Sequence, residues 1–223
     1  QHRLAIELFK RASKDIPNGV GGVHRLHRML GMSYLMSGQS RDGIEELRRA
    51  SRACPEHEPE CQQIAETELG LAQLRFGFSN YALDRLKDSL ELALKRDDRL
   101  SEAAALNNIG LFYADAGDLA YALRHFERAL ALRGQTGDVA GAAATLRNLG
   151  LVYSAQRDLV TALSFFERAL TLSQSAGDVL VEATTLNHLG WIDSKQAKHA
   201  RALGYSARAL LLSKKSEADS SAD

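Results

Sequence analysis

Two cysteines and a histidine form a compact group of potentially reactive side chains in the sequence. Cys54, His57 and Cys61 have the spacing C-x2-H-x3-C, in a loop that Pro55 and Pro59 bracket. Thiolate and imidazole bind zinc, but a structural zinc site needs four ligands, and the sequence has no second cysteine pair. We therefore expect an ordinary loop between helices, with no metal ion and no cofactor.

The cysteine count also bears on the cellular compartment. Two cysteines in a chain of 223 residues do not make a disulfide framework. The expected setting is therefore the reducing cytoplasm.

Other motifs that could carry chemistry are incomplete. His24 and His27 lie at i, i+3 on a predicted helix, but the sequence assigns them no carboxylate partner. The glycine-rich stretch 15–22, DIPNGVGG, lacks the Gly-Lys-Ser/Thr of a phosphate-binding loop, and 38–43, GQSRDG, is not G-x-S-x-G. No nucleophile with its base is indicated, so we predict that the protein is not an enzyme.

The charge balance restricts the classes of partner. Lys+Arg and Asp+Glu number 28 each, so the formal net charge is zero. A general nucleic-acid binder has an excess of Lys and Arg, and we expect no nucleic-acid binding by this segment. No apolar run reaches the roughly 18 residues of a membrane span, so no membrane association is expected.

The stretch 106–132 predicts two helices separated by a short polar turn. Its first half repeats at i, i+3, i+4 and i+7, which is one face of a helix, in Leu106, Ile109, Gly110 and Tyr113. Gly117 can end that helix, and Asp118 can cap the next by accepting a backbone N–H. The second half has a matching stripe in Ala122, Phe126 and Ala129. Gly110 and the alanines allow the two helices to approach closely.

The same pattern recurs about 40 residues further along and then once more. The second copy contains Leu146, Leu149, Gly150, Tyr153, Ala162, Phe166 and Ala169. The third copy keeps Leu186, Leu189, Gly190, Ala202 and Ala209. A fixed period of this size predicts a stack of like helix pairs rather than one globular core.

This pattern resembles the tetratricopeptide repeat, in the variant of about 40 residues that is familiar from kinesin light chains, adaptor proteins and bacterial regulatory proteins. The resemblance covers nearly the whole chain. It implies an all-α fold, a right-handed α-solenoid of antiparallel helix pairs with about eleven helices. The same scaffold serves many partners, so it implies little about which one is bound here.

The repeats predict the domain organisation. We expect one solenoid over 1–215, with 1–17 as the second helix of a truncated repeat and therefore with the chain as part of a longer protein. Repeats are predicted at 23–55, 59–97, 99–135, 139–175 and 179–215. In the last, Asp193 stands where tyrosine is expected and Ser206 where phenylalanine is expected, which predicts weaker packing. The small, polar and acidic end 216–223 is predicted to be disordered.

The resemblance places a peptide-binding groove on the first helix of each pair, because those helices line the concave surface in similar proteins. The candidate groove residues are Arg25, Arg28, Glu68, Asn107, Asn108, Leu111, Arg147, Asn148, Asn187, His188 and Trp191. Asparagine is a mediocre helix former, so it usually has a specific role within a helix. In similar peptide-binding repeat proteins, such asparagines pair with the backbone of an extended peptide. The resemblance carries this role to Asn108 and Asn148, with His188 in the equivalent place.

Each candidate also has a structural interpretation. The asparagines can belong to the repeat consensus and bond a neighbouring helix or loop. Arg147, with Arg25 and Arg28, can meet carboxylates on a partner or remain solvated surface charge. Trp191, the one tryptophan, is either an interface anchor or packs under the C-terminal helix.

Two functions are consistent with this sequence. The first is a protein–protein interaction scaffold that binds a peptide segment or a helix of a partner in its groove, without chemistry of its own. The alternative is a ligand- or peptide-sensing regulatory segment of a larger bacterial signalling or transcription-regulatory protein. Self-association through the terminal helices is a further hypothesis, because both ends expose apolar helix faces.

Overall fold

The chain is all-α in a computed structural model that describes residues 6–9, 11, 22–55, 57–77 and 79–222. Residues 6–9 and 11 are helical, and no strand occurs in the described part of the chain. Ten helices follow: α1 (Val23–Met36), α2 (Ser40–Arg52), α3 (Pro59–Arg75), α4 (Ser79–Lys95), α5 (Arg99–Asp115), α6 (Leu119–Thr136), α7 (Val139–Ala155), α8 (Leu159–Ala176), α9 (Val179–Lys195) and α10 (His199–Ala222). The predicted all-α class of paired helices is confirmed.

The chain forms two compact units, residues 1–101 and 102–223. In the first unit α1 packs on α2, α2 on α3, and α3 on α4. In the second unit α6 packs on α7, α7 on α8, α8 on α9, and α9 on α10. Short turns join the consecutive helices, which gives antiparallel neighbours within each unit. A single solenoid over 1–215 stays a prediction.

Aspartates and glycines set the helix boundaries in the second unit. Gly137 and Gly177 have φ values of 72° and 68°, the left-handed conformation that ends a helix at little cost for glycine. Helices α7, α8 and α9 each begin with a side-chain cap, in which a backbone N–H donates to an aspartate. The bonds run from Gly141 to Asp138, from Thr161 to Asp158, and from Val181 to Asp178. Asp118 occupies the same position before α6 but makes no side-chain cap bond, contrary to the expectation.

In the helix pairs α5–α6 and α7–α8, a glycine on the first helix packs against a buried phenylalanine ring on the second. A Cβ added at Gly110 would lie 2.7 Å from the Phe126 ring, and one at Gly150 would lie 2.8 Å from the Phe166 ring. Phe126 and Phe166 are 0% and 1% exposed. The predicted close approach is therefore present in both pairs, because only glycine leaves room for the buried ring.

The last pair, α9–α10, is built differently. Gly190 faces Ser206 rather than a ring, and a Cβ there would have its nearest neighbours at 3.3 Å. Asp193 is fully buried where tyrosine was expected, and Arg201 Nε lies 3.1 Å from its Oδ2. The two departures noted in the sequence thus replace aromatic packing with a looser contact and an ion pair.

Both chain ends were given a prediction from the sequence. Helix α10 extends through Ala222, and Asp223 lies outside the described residues. The disorder expected of 216–223 stays a prediction. At the other end, part of the predicted helix 1–17 and most of the glycine-rich stretch 15–22 lie outside the described residues. Residues 6–9 are helical, and Ile6 packs against Leu30 and Tyr34 of α1.

Within the described residues, none of the helices has the length and apolar composition to cross a membrane.

Candidate functional site

Eight of the eleven predicted groove residues lie on three helices of the second unit. These helices, α5, α7 and α9, are each the first of a pair, and we call the surface that carries the eight residues the first-helix face. It comprises Asn107, Asn108 and Leu111 on α5, Arg147 and Asn148 on α7, and Asn187, His188 and Trp191 on α9. The period of the repeat brings these positions into register, so the face follows from the fold.

Asparagine amides bond α5 to α7 within this face. Asn148 Nδ2 donates to Asn107 Oδ1 at 3.0 Å, and Thr145 Oγ1 donates to the same oxygen at 3.2 Å. Asn107 and Asn148 are only 8% and 3% exposed. These two amides therefore occupy the structural role that the sequence analysis kept as the alternative, whereas Asn108 is half-buried and Asn187 is exposed.

Arg147 is held at the centre of the face by contacts to two helices. Its Nη1 donates to Thr184 Oγ1 on α9 at 3.0 Å, and its Nη2 donates to Asn148 Oδ1 at 3.3 Å. Burial lowers the pKa of the Arg147 guanidinium from its usual value, and the negative charge of Asp178 partly offsets this. Its Nε is buried without a hydrogen-bond partner among the described residues. These two hydrogen bonds fix the orientation of the guanidinium within the face.

His188 and Trp191 supply aromatic surface on α9. The His188 ring stacks on Phe166, with centroids 5.1 Å apart. Burial and then the positive charge of Arg147 lower the pKa of His188, which favours the neutral imidazole. Trp191 is 47% exposed, and Lys195 Nζ lies 5.7 Å from the ring centroid. The tryptophan is therefore available for contact, while Leu111 is half-buried against the apolar core.

The three remaining predicted groove residues lie in the first unit. Arg28 and Glu68 bind each other, with Arg28 Nε 3.1 Å from Glu68 Oε1. Burial raises the pKa of Glu68, against the opposing effect of Arg28. Arg25 is exposed. The pairing of Arg28 with Glu68 leaves less of their charge available to a partner.

An apolar cavity of about 520 Å³ lies beside this ion pair in the first unit. Met32 and Met36 of α1 and Leu71 and Phe76 from the α3 region line it, together with Glu68. The sequence pattern did not predict this cavity.

The cysteine loop differs from the sequence prediction. Cys54 and Cys61 form a disulfide, with Cα atoms 5.6 Å apart. The loop between α2 and α3 brings them within the usual Cα range for a disulfide, which sequence spacing alone did not indicate. His27, expected to have no assignable partner, lies 2.7 Å from Glu46 Oε2 through Nδ1.

His24, which is distant in the sequence, meets the cysteine loop. His24, Glu58 and Cys61 place one ligand atom each within 4.8 Å of one another. They line a cavity of about 560 Å³ with Cys54 and His57. Of the three residues singled out in the sequence, the two cysteines lie with His24 and Glu58, whereas His57 lines the cavity without belonging to the group of close ligand atoms. Glu58 directly follows His57 in the loop, but no sequence signal pointed to His24.

The tetratricopeptide repeat model matches residues 101–175 and 141–215, which together make up just over half of the chain. The chain belongs to the tetratricopeptide repeat family. This confirms the resemblance that the repeated Leu, Gly, Tyr and Ala/Phe/Ala positions indicated. No protein among the curated sequences matches the chain.

Several solved structures share the fold. BtubC from P. vanneervenii is 19% identical with a TM-score of 0.71, covering 97% of this chain and 89% of that one. A kinesin light chain from Podosopora anserina with nearly identical TPR-like repeats is 16% identical with a TM-score of 0.63, covering 88% and 99%. A Rap protein complexed with competence and sporulation factor is 15% identical with a TM-score of 0.82, covering 96% of this chain but only 59% of its own. At these identities the likeness shows the fold alone.

Proposed function

We propose that this protein is a protein–protein interaction scaffold that binds an extended segment of a partner on the first-helix face. The observation that supports the proposal is the arrangement around Arg147. A half-buried guanidinium, oriented by Thr184 and Asn148, lies on the same face as the exposed indole of Trp191. Oriented cations and accessible aromatic rings are frequent energetic centres of protein interfaces.

The chemistry of the face selects the kind of segment. Arg147 suits a carboxylate, because a guanidinium can donate two parallel hydrogen bonds to it. Trp191 and the partly exposed Leu151, on the neighbouring helix, suit an apolar side chain. Asn108 and Asn187 have amide groups that can pair with a peptide backbone. We therefore expect a segment that carries an acidic residue close to an apolar one.

The roles of the predicted groove residues divide accordingly. Asn108, Arg147, Asn187 and Trp191 contact the segment directly in this proposal. Asn107 and Asn148 hold α5 and α7 in register, and His188 supports α9 through its stacking on Phe166. Arg25, Arg28 and Glu68 belong to the first unit, and we assign them no contact with this segment.

The test is peptide binding to a face variant that remains folded. Peptides are selected from a random display library against the full chain, and their affinities are measured by fluorescence anisotropy. The triple variant Asn108→Ala/Arg147→Ala/Trp191→Ala is expected to weaken binding by about 100-fold or more, which corresponds to losing two interface anchors.

The matched control replaces exposed residues on the second helices of the same three pairs. Arg124→Ala/Val160→Ala/Leu203→Ala removes one cation and two apolar side chains from α6, α8 and α10, where these residues are exposed. Its affinity is expected to equal that of the wild type. Equal loss in both variants, or loss in the control alone, would contradict the first-helix face.

A second candidate function is a ligand- or peptide-sensing regulatory segment of a larger bacterial signalling protein. The TM-score of 0.82 to a Rap protein complexed with competence and sporulation factor favours it, together with the 59% share of that chain that is covered. The flanking gene sequence tests this function: an adjoining output domain supports it, whereas a reading frame confined to these repeats opposes it.

A further inference from the structure

We propose that Cys54, Cys61, His24 and Glu58 form a zinc-binding site when the disulfide between the two cysteines is reduced. The site lies in the first unit and is independent of the first-helix face. It would bind a divalent cation of borderline softness through two thiolates, one imidazole and one carboxylate, which is a ligand set typical of zinc.

The ligand atoms are already close together in the disulfide form. The atoms of His24, Glu58 and Cys61 lie within 4.8 Å of one another, and His24 Nε2 is 4.0 Å from Glu58 Oε2. Cys54 Sγ is bonded to Cys61 Sγ and so adds a fourth donor at the same place. In a tetrahedral zinc site with Zn–S bonds of about 2.3 Å, the two sulfur atoms lie about 3.8 Å apart. Side-chain rotation can reach that separation, because the Cα atoms are 5.6 Å apart.

Reduction changes the number of available ligands from two to four. A dithiol reductant transfers two electrons and two protons to the disulfide. The S–S bond breaks, Cys54 and Cys61 become thiols, and the reductant becomes a disulfide. Zinc then replaces both thiol protons, so each bound ion releases about two protons. In the disulfide form only His24 and Glu58 remain as strong ligands, and two ligands are too few for a structural site.

The charges around the site are compatible with this ligand set. Two thiolates, one carboxylate and Zn²⁺ give a net charge of −1, which the exposed Arg25 among the cavity-lining residues can offset. Arg25, Arg28 and Arg96 line the same cavity. Arg28 is paired with Glu68, and Arg96 donates to Glu60 and Gln63, so both guanidinium groups are directed to other partners. These pairs hold the cations beside the cavity rather than on the ligands.

The site would connect separate elements of the first unit. His24 belongs to α1, Cys54 and Glu58 to the loop between α2 and α3, and Cys61 to the first turn of α3. An ion bound to all four residues therefore fixes α1 to the start of α3. Because the folded chain binds the ion and the unfolded chain binds it less well, zinc is expected to raise the melting temperature of the reduced chain.

The test compares the oxidised and reduced full chain, titrated with Zn²⁺ and with Co²⁺ as a spectroscopic substitute. The reduced chain is expected to bind one equivalent, with a thiolate-to-cobalt absorption band, release of about two protons and a higher melting temperature. The oxidised chain is expected to show none of these changes, and this comparison needs no substitution. Stoichiometric binding that is the same in both forms, or no binding by the reduced form, would overturn the proposal.

Variants identify the ligands. His24→Gln and Glu58→Gln are each expected to weaken zinc binding by about tenfold or more. His27→Gln, whose ring is bonded to Glu46, and His57→Gln, whose side chain is 84% exposed, are the matched controls and are expected to bind as the wild type does. The melting temperature of each oxidised variant checks that it folds. Loss of binding in His57→Gln with retention in His24→Gln would contradict this ligand set.

Discussion

The helix pairs α7–α8 and α9–α10 have the same place in the repeat but bury different chemistry between their helices. In α7–α8, Gly150 meets the fully buried ring of Phe166, and the ring of Tyr153 stacks on Phe165 with centroids 5.3 Å apart. In α9–α10, Gly190 faces Ser206 with more room. The position of Tyr153 is taken there by Asp193, whose carboxylate lies beside Arg201.

The repeat geometry therefore does not depend on one set of contacts. The helix–turn–helix backbone is the same in α9–α10, where no phenylalanine ring packs on the glycine, because glycine and alanine still permit the helices to approach closely. The two interfaces should nevertheless contribute different amounts to the free energy of unfolding. Buried apolar area and tight packing contribute more than an ion pair with one exposed partner.

The largest expected effect is the loss of the buried ring. Phe166→Ala should lower the free energy of unfolding by about 3–5 kcal/mol, because it removes a large side chain and leaves a cavity. Ser206→Ala, at the equivalent position of the last pair, should change it by less than about 0.5 kcal/mol, because Ser206 is exposed. Urea unfolding of both variants measures the difference, and equal effects would remove the distinction between the pairs.

A smaller contrast is expected at the glycines. Gly150→Ala places a Cβ 2.8 Å from a Phe166 ring carbon and should destabilise the protein by about 1–3 kcal/mol. Gly190→Ala meets its nearest atoms at 3.3 Å, and alanine is favoured over glycine in a helix by about 1 kcal/mol, so its net effect should be close to zero. Thermal unfolding of the two variants is the measurement. A larger loss for Gly190→Ala would contradict the looser packing of the last pair.

The repeated residues predicted the helix pairs and their class, but not how far each groove position is exposed. Asn107, Arg147 and Asn187 are equivalent in the repeat, yet Asn107 is buried and Asn187 is exposed. Thr145 and Asn148 of α7 donate to the amide oxygen of Asn107 and cover it. Exposure thus depends on which side chains of a neighbouring helix meet a residue, and the periodic pattern does not encode those contacts.

The cysteine cluster shows a second limit of sequence reasoning. His24 lies 30 residues before Cys54, and spacing within the C-x2-H-x3-C loop gives no information about a residue on another helix. Their proximity results from the packing of α1 and α3 in the first unit. The repeat pattern predicts the helices well. It does not predict which side chains of different repeats come into contact.

The smallest expected effect on stability concerns His188 of α9, whose ring stacks on Phe166 of α8. Its pKa is lowered in the folded protein, so protonation favours the unfolded chain. Stability should therefore be highest above the unfolded pKa of about 6.5 and should fall as the pH decreases below it. The free energy of unfolding, measured from pH 7 to pH 5, should fall less steeply in His188→Gln than in the wild type. His125, whose pKa is also lowered, remains in both proteins, and identical slopes would contradict the assignment.

The emission of Trp191 tests the central claim most directly, because it is the one tryptophan of the chain and lies on the first-helix face. Titration with a selected peptide should shift its emission to shorter wavelength, with the same midpoint as peptide binding by anisotropy, since the peptide covers the indole. Arg147→Ala should move both midpoints together to higher peptide concentration. Tight peptide binding with unchanged Trp191 emission and an unaffected Arg147→Ala variant would contradict recognition by this face.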